Sequence, residues 1–594
     1  MIKSTSLTWD LEPIFSGGST SAELQTFVEQ LRTELNQLET DIQTHGTPAS
    51  PEEAGDWTAS YLKLQRAASK LEEARSFVNA VISADVNDEY AKQWQASLKQ
   101  TSTKISALIT TMEAQILQMD DRTWQAVLEH PDTAGLTFPL EEQRTKAKEK
   151  MDAEAEQLAS SLAQDGYAGW SEMYNTLVGR MKIPWNGENL SVGQAQNQME
   201  TSDRTVRENM HKAWEEAWDE QGSVFAETLN HLAGFRLNLY EKRGWTNVLK
   251  EPLMINRMEE KTLDAMWEAI EELKPKLLPF MDEKARLIGV DALAWHDVHA
   301  PLGEIEQIVP FDEAAEAITA QFREVSPKLA DFTKHAFENH WIEAEDRPGK
   351  RPGGFCTRFP ETGETRIFMT YGGTPSNVQT LAHELGHAYH QEAMQGVSYF
   401  STRYAMNVAE TASTFAEQIV AESAVNEAEN EAEKLALLNT KISRGLAFFM
   451  NLHARFLFEK RFYEQRKNGW LTADQLNHLM QEAQEEAYCG QLASYSPTFW
   501  SSKLHFHMTG VPFYNFPYTF GYLFSLGIYQ RAKEEGPAFE DQYIALLRDT
   551  ASMPVEELAW KHLHADITKK EFWKEAAAPL LEDVEQFLQL SQKQ

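Results

Sequence analysis

The sequence predicts a mainly α-helical protein with one small β-hairpin, and three observations carry that prediction. Apolar residues recur every three or four positions in segments such as FVEQLRTELNQLETDI from Phe27 and ALLNTKISRGLAFFMNLHARFLFEKRF from Ala436, the period of an amphipathic helix. Breaks fall where Gly and Pro cluster: HGTPASP at 45–51, MKIPWNGENL at 181–190 and DRPGKRPGGF at 346–355. One stretch loses the helical period. In GGFCTRFPETGETRIFMTYGGT two β-prone runs flank PETGE, predicting a hairpin over about 353–371.

The second break divides the chain. Residues 1–185 form a helical N-terminal region with charged faces, and residues 186–594 carry nearly all the chemically suggestive side chains and are expected to supply both walls of the site. With 594 residues the chain can bury a large core and shape a deep internal site. Its 55 Lys and Arg stand against 90 Asp and Glu, a formal charge of −35 that repels phosphate backbones and anionic membranes, so neither nucleic acid nor membrane is an expected partner. Aromatics at 11% do not fit a disordered acidic tail. Two cysteines, Cys356 and Cys489, cannot staple a chain this long, which suits a reducing, cytoplasmic setting. The first residues, MIKSTSLTWDLEPIF, lack the apolar run of a signal peptide.

The hairpin leads into the most informative helix. Thr374 is its expected N-cap, with Pro375 at the first helical position. LAHELGHAYH then places His383 and His387 four residues apart on one face, where two imidazoles can grip one Zn²⁺. Glu384, beside the first ligand, can accept a proton from a metal-bound water, the reason H-E-x-x-H carries a peptidase mechanism. Chance supplies about 0.07 matches to this pattern in such a chain, so the surrounding geometry has to decide. Val378, Leu381, Ala382, Leu385 and Tyr389 form one stripe, and the two histidines point away from it. His390 lies about 4.5 Å further along the axis, too far to join them.

The third ligand must come from elsewhere. RYAMNVAETASTFAEQIVAES from Arg403 reads as a returning helix whose polar face carries Asn407, Glu410, Thr414 and Glu417. Glu410 is the expected ligand; Glu417 is the alternative, or a support that orients a ligand imidazole.

FMTYGGTPSNVQTLAHELGHAYH, AETASTFAEQ and KLHFHMTGVPFYNFPYTFGYLF, in that order, resemble the oligoendopeptidase F branch of the thimet oligopeptidase and neurolysin family of zinc metallopeptidases. The resemblance spans roughly residues 353–524, with TWDLEPIF near the start as a further match. It implies a bilobed helical zincin with one zinc in a deep channel, cutting internal bonds of short peptides by attack of a zinc-bound water. It matches His383, His387 and Glu410 to the ligands and Glu384 to the general base. It implies a His and Tyr hydroxyls for substrate and oxyanion among His505, His507, Tyr514, Tyr518 and Tyr522. The sequence reads HFH where relatives often read HFY, which leaves the choice among them open. The hairpin edge from Thr365 to Tyr371, including Phe368 and Met369, is expected to pair with an extended peptide, Gly372 and Gly373 allowing close approach. A carboxypeptidase or dipeptidyl carboxypeptidase of related type is the alternative enzyme; a helical scaffold with a decayed motif is the non-enzymatic one. Oligomeric state has no signature in the sequence.

Overall fold

The computed structural model describes residues 2–3, 5–303 and 308–593. Near its start, helix α1 (Ala22–His45) buries Leu24, Val28, Leu31, Leu35, Leu38 and Ile42, a stripe at three- and four-residue spacing, and Ser21 caps it by accepting the Leu24 N–H. Helices α2 (Ala54–Ala84) and α3 (Glu89–Gln118) pack with α1. The core they share runs from Ile14 to Leu140, and it also takes in Phe359 and Phe400 from far along the chain.

A second, larger core runs from Tyr174 to Phe587. Its first strands, β1 (Ile183–Trp185) and β2 (Glu188–Leu190), pair antiparallel around Asn186 and Gly187. Both turn residues have positive φ, as a tight two-residue hairpin requires. The MKIPWNGENL segment is therefore an ordered hairpin, and its Ile183 belongs to the second core.

The expected hairpin near residue 353 is present as β4 (Phe355–Phe359) and β5 (Glu364–Phe368). A short strand, β3 (Ile342–Glu343), adds to β5 in parallel, giving the order β3-β5-β4. β5 is consequently the central strand, with neighbours on both sides. The expectation that Thr365–Tyr371 offers a free edge is overturned; the edges are β3 and β4.

The motif helix (Pro375–Ala393) begins as expected, with Thr374 accepting the Asn377 N–H at 3.2 Å and Pro375 in its first turn. The helix expected from Arg403 follows a turn at Tyr399–Thr402 and is broken into a short helix at Met406–Ala409 and the returning helix Thr411–Glu427. Further on, the run from Ala436 is helical but widens into a π-helical turn at Ala447–Asn451 between helices Glu431–Leu446 and Leu452–Arg466. The Thr519 hydroxyl donates to the Phe448 carbonyl within that turn, tying it to the closing helix Phe516–Glu535. The described residues hold no helix long and apolar enough to cross a membrane.

Candidate metal centre

Leu381, Ala382, Leu385, Ala388 and Tyr389 bury one side of the motif helix, while His383 and His387 remain partly exposed on the cleft side. Their rings stand 4.8 Å apart and nearly perpendicular. Glycine brings the third donor to them. A Cβ on Gly386 would stand 2.5 Å from the Ala412 carbonyl oxygen and 2.6 Å from Ser413 Cα, so the motif and returning helices cross at backbone contact there. Glu410 occupies the junction just before the returning helix, which aims its carboxylate at the pair.

Glu410 Oε2 lies 3.4 Å from His383 Nε2 and 3.5 Å from His387 Nε2. One donor atom from each of the three residues falls within 4.8 Å of the others. Tetrahedral zinc with bonds of about 2.0–2.1 Å separates its ligand atoms by about 3.3–3.4 Å, which the two distances to Glu410 match. Protonation states fit too. Burial pushes both imidazoles below their ordinary pKa, His387 to about 4, leaving lone pairs free. Burial alone would raise the Glu410 carboxyl, but His387, His383 and the Ser413 hydroxyl at 2.8 Å hold it below its usual value.

Glu417, two turns along the returning helix, places Oε2 3.2 Å from His383 Nδ1 and pairs through Oε1 with Arg444. It is positioned to fix the tautomer and orientation of His383. Glu384 is buried, and its Oε2 has no hydrogen-bond partner among the described residues. Burial pushes its carboxyl up to about 7, with His383 opposing the shift. Its Oε1 faces Gly354, where a Cβ would stand 3.6 Å away. A cavity of about 660 Å³ opens over these groups, lined by residues 354–358 along β4, by His383, Glu384 and His387, and by Glu72 and Arg403. Glu72 comes from α2, so the cleft walls are not supplied by residues 186–594 alone.

Three of the five C-terminal candidates form a connected, partly exposed ladder. His505 stacks on Tyr514 at 4.8 Å with Nδ1 3.4 Å from Arg455, and Tyr518 donates to the Tyr514 hydroxyl at 3.1 Å. The Tyr518 hydroxyl is made less acidic first by burial, then by Tyr514 and the Glu410 charge. Gly521, one turn on, packs on Glu410, where a Cβ would meet Glu410 Cβ at 3.2 Å. The other two candidates do not join. His507 is fully buried, stacked on Tyr174 at 4.0 Å, with ring nitrogens 3.3 Å from Thr228 Oγ1 and from the Trp500 carbonyl. Tyr522 is buried flat against Phe448.

The expected substrate residues of the sheet also turn inward. Phe368 is buried between Phe355 and Trp9, and Met369 is buried with its backbone bonded to Glu343 and Lys350. Tyr371 donates its hydroxyl to the Val309 carbonyl at 2.9 Å. Gly372 bonds Asn377, and Gly373, at φ 81°, fits under Val309 where a Cβ would clash. These contacts follow from β5 being central: its side chains and following turn are committed to the core. His390 is buried against Tyr404 and Thr550. Sequence reasoning missed Glu72, Gly354, Gly386 and Gly521. The only local sign was the glycine inside HELGH, which marks a close helix crossing.

A family model described as peptidase family M3 matches residues 197–578, and one described as oligopeptidase F matches residues 115–183. An oligoendopeptidase F homolog of Lactococcus lactis subsp. lactis is 24% identical over 574 residues, covering 93% of this chain and 92% of the relative. Among solved structures, a chain from Chlamydophila abortus superposes with a TM-score of 0.82 at 17% identity, covering 98% of each chain. Oligoendopeptidase-F of Enterococcus faecium superposes with a TM-score of 0.70 at 18% identity, covering 96% of this chain and 99% of that one. These structural likenesses show the fold.

Proposed function

The chain belongs to peptidase family M3, and from that premise we propose that it is a single-zinc oligoendopeptidase acting on internal bonds of short peptides. The observation that carries the reading is the convergence of His383, His387 and Glu410 beside the unpartnered carboxylate of Glu384. Held by those three side chains, zinc would contribute Lewis-acid polarisation of the scissile carbonyl and acidification of the attacking water.

The chain's own groups do the rest. Glu384 accepts the proton of the attacking water and delivers it to the leaving amine. A carboxyl pushed up to about 7 is matched to both transfers near neutral pH. Glu417 keeps the His383 ring turned toward the ion. The Tyr518 hydroxyl, turning its proton from Tyr514 to the developing charge, donates to the oxyanion on the carbonyl oxygen, with Tyr514 and His505 behind it. β4, as the edge strand lining the cavity, offers its backbone to an extended peptide, the role first assigned to β5. Walls from α2 on one side and the second core on the other favour short flexible peptides over folded proteins. Two free cysteines and the acidic charge suit cytoplasmic work without nucleic acid.

The test is cleavage of an internally quenched peptide, blocked at both ends, by wild type and Glu384→Gln, with zinc measured in both. Internal cleavage by wild type alone, with zinc in each, is expected. Zinc missing from wild type would refute the metal centre, and cleavage only of peptides with a free terminus would move the reading to an exopeptidase.

A further inference from the structure

Beside the zinc cavity lies a larger one of about 1080 Å³, between α2, α3 and the Tyr399–Arg403 turn. The two share Glu72, Thr357 and Arg403 in their walls, so they adjoin at the edge strand. In a protein with a formal charge of −35, the walls of this second cavity are basic. Arg75 comes from α2, Lys92 and Lys99 from α3, and Arg403 from the turn.

The charge is not cancelled locally. Glu72, the acidic residue in the wall, is already held by the Arg358 guanidinium and the Tyr399 hydroxyl, and Arg358 neutralises it. Lys92 pairs with Glu89. Arg75 and Lys99 make no side-chain hydrogen bond or ion pair among the described residues. Arg403 lies over the Tyr399 and Phe400 rings at 5.2 and 5.1 Å, which holds its guanidinium at the junction without a salt bridge. Arg75 and Lys99, exposed and without an ion pair among the described residues, and Arg403, which also acts on the Glu72 carboxylate and bonds the Tyr399 hydroxyl, thus line an open groove whose wall meets that of the zinc cavity.

We propose that this cavity is a substrate subsite for a carboxylate, carried by an acidic side chain or by the C-terminus of the peptide. Arg75, Lys99 and Arg403 hold the carboxylate while the neighbouring backbone lies along β4. The inference rests on the peptidase reading and adds a preference to it.

The experiment compares three peptides on the zinc enzyme: a neutral peptide blocked at both ends, the same peptide with one Glu moved through its positions, and the neutral peptide with a free C-terminal carboxylate. Each is also tested for binding to Glu384→Gln by fluorescence anisotropy. At least one carboxylate peptide is expected to exceed the neutral one by about tenfold in kcat/KM and in affinity, an advantage that shrinks as salt is added. In Arg75→Gln/Lys99→Gln that ratio falls toward one, chiefly through KM, and Arg75→Lys/Lys99→Arg restores it. The Glu scan and the free-terminus peptide tell which source of carboxylate is used. Equal handling of all peptides, or a preference that survives the double Gln variant, would overturn the subsite while leaving the peptidase intact. Preferential binding without cleavage of any peptide would uphold the subsite and sink the peptidase reading instead.

Discussion

Gly386 rests directly on the backbone of Ala412: a single added methyl would stand 2.5 Å from the Ala412 carbonyl oxygen. That contact sets the distance between the helix carrying both histidines and the segment carrying Glu410. Metal geometry in this chain is therefore a packing property before it is a ligand property.

Gly386→Ala should push the two helices apart and cost about 1–3 kcal/mol of stability, as overpacking does. Its zinc affinity should fall even though every ligand is retained. Thermal unfolding and competition with a chelator read both effects. Unaltered zinc affinity in a folded variant would show that the crossing does not position Glu410.

Glu417→Ala should weaken zinc binding about 10–100-fold by releasing His383 Nδ1, although Glu417 does not touch the ion. Chelator competition measures it. Wild-type affinity would mean that Glu417 serves only to neutralise Arg444.

Tyr518→Phe should lower kcat about 10²–10³-fold with little change in KM, the signature of a donor that acts on the developing oxyanion. Tyr514→Phe should have a smaller effect because it removes the partner of that hydroxyl. Steady-state kinetics on one blocked peptide separates them, and a pure KM effect would make Tyr518 a substrate-binding group.

Glu459 gives a pH test remote from the metal. It is buried with one oxygen accepting the Phe513 N–H, and burial pushes its carboxyl from 4.5 up to about 8. The folded state holds that proton more tightly than the unfolded chain, so the associated stability is complete below pH 4.5 and is lost as pH rises through about 8. Glu459→Gln should flatten this limb and exceed wild type by roughly 1–3 kcal/mol above it. Parallel pH profiles of Tm in the two proteins would contradict the shift.

Much of this molecule was legible from local pattern. Thr374, Pro375 and the Leu381–Leu385 stripe gave the motif helix its start and its orientation, because capping and amphipathic spacing are written within a turn or two of themselves. Glu410 was found as a returning polar group, although it sits at a break between helices and not on one continuous face. Non-local pairing was not legible. Ile342 and Glu343 make a strand too short to carry a pattern, yet their addition makes β5 central and turns Phe368 and Met369 into core residues. His505 and His507 differ by two positions on a tight turn, and only the placement of Tyr174 and Thr228 decides which one is buried. Glu72 reaches the site from more than three hundred residues before His383, which no spacing rule can anticipate.

Phe359 at the end of β4 and Phe400 in the turn after the motif helix are both buried in the N-terminal core. They act as two rivets between the bodies. Pulling either free would expose an aromatic side chain at a cost of about 1.5–3 kcal/mol. They are not alone: Thr357 bonds Ser76, Arg358 pairs with Glu72, and backbone bonds run from Arg351 to Ser83 and from Val86 to Gly349. α2 is therefore stitched to the β4 side from Glu72 to Ser83, and the wall facing the peptide strand is fastened to that strand.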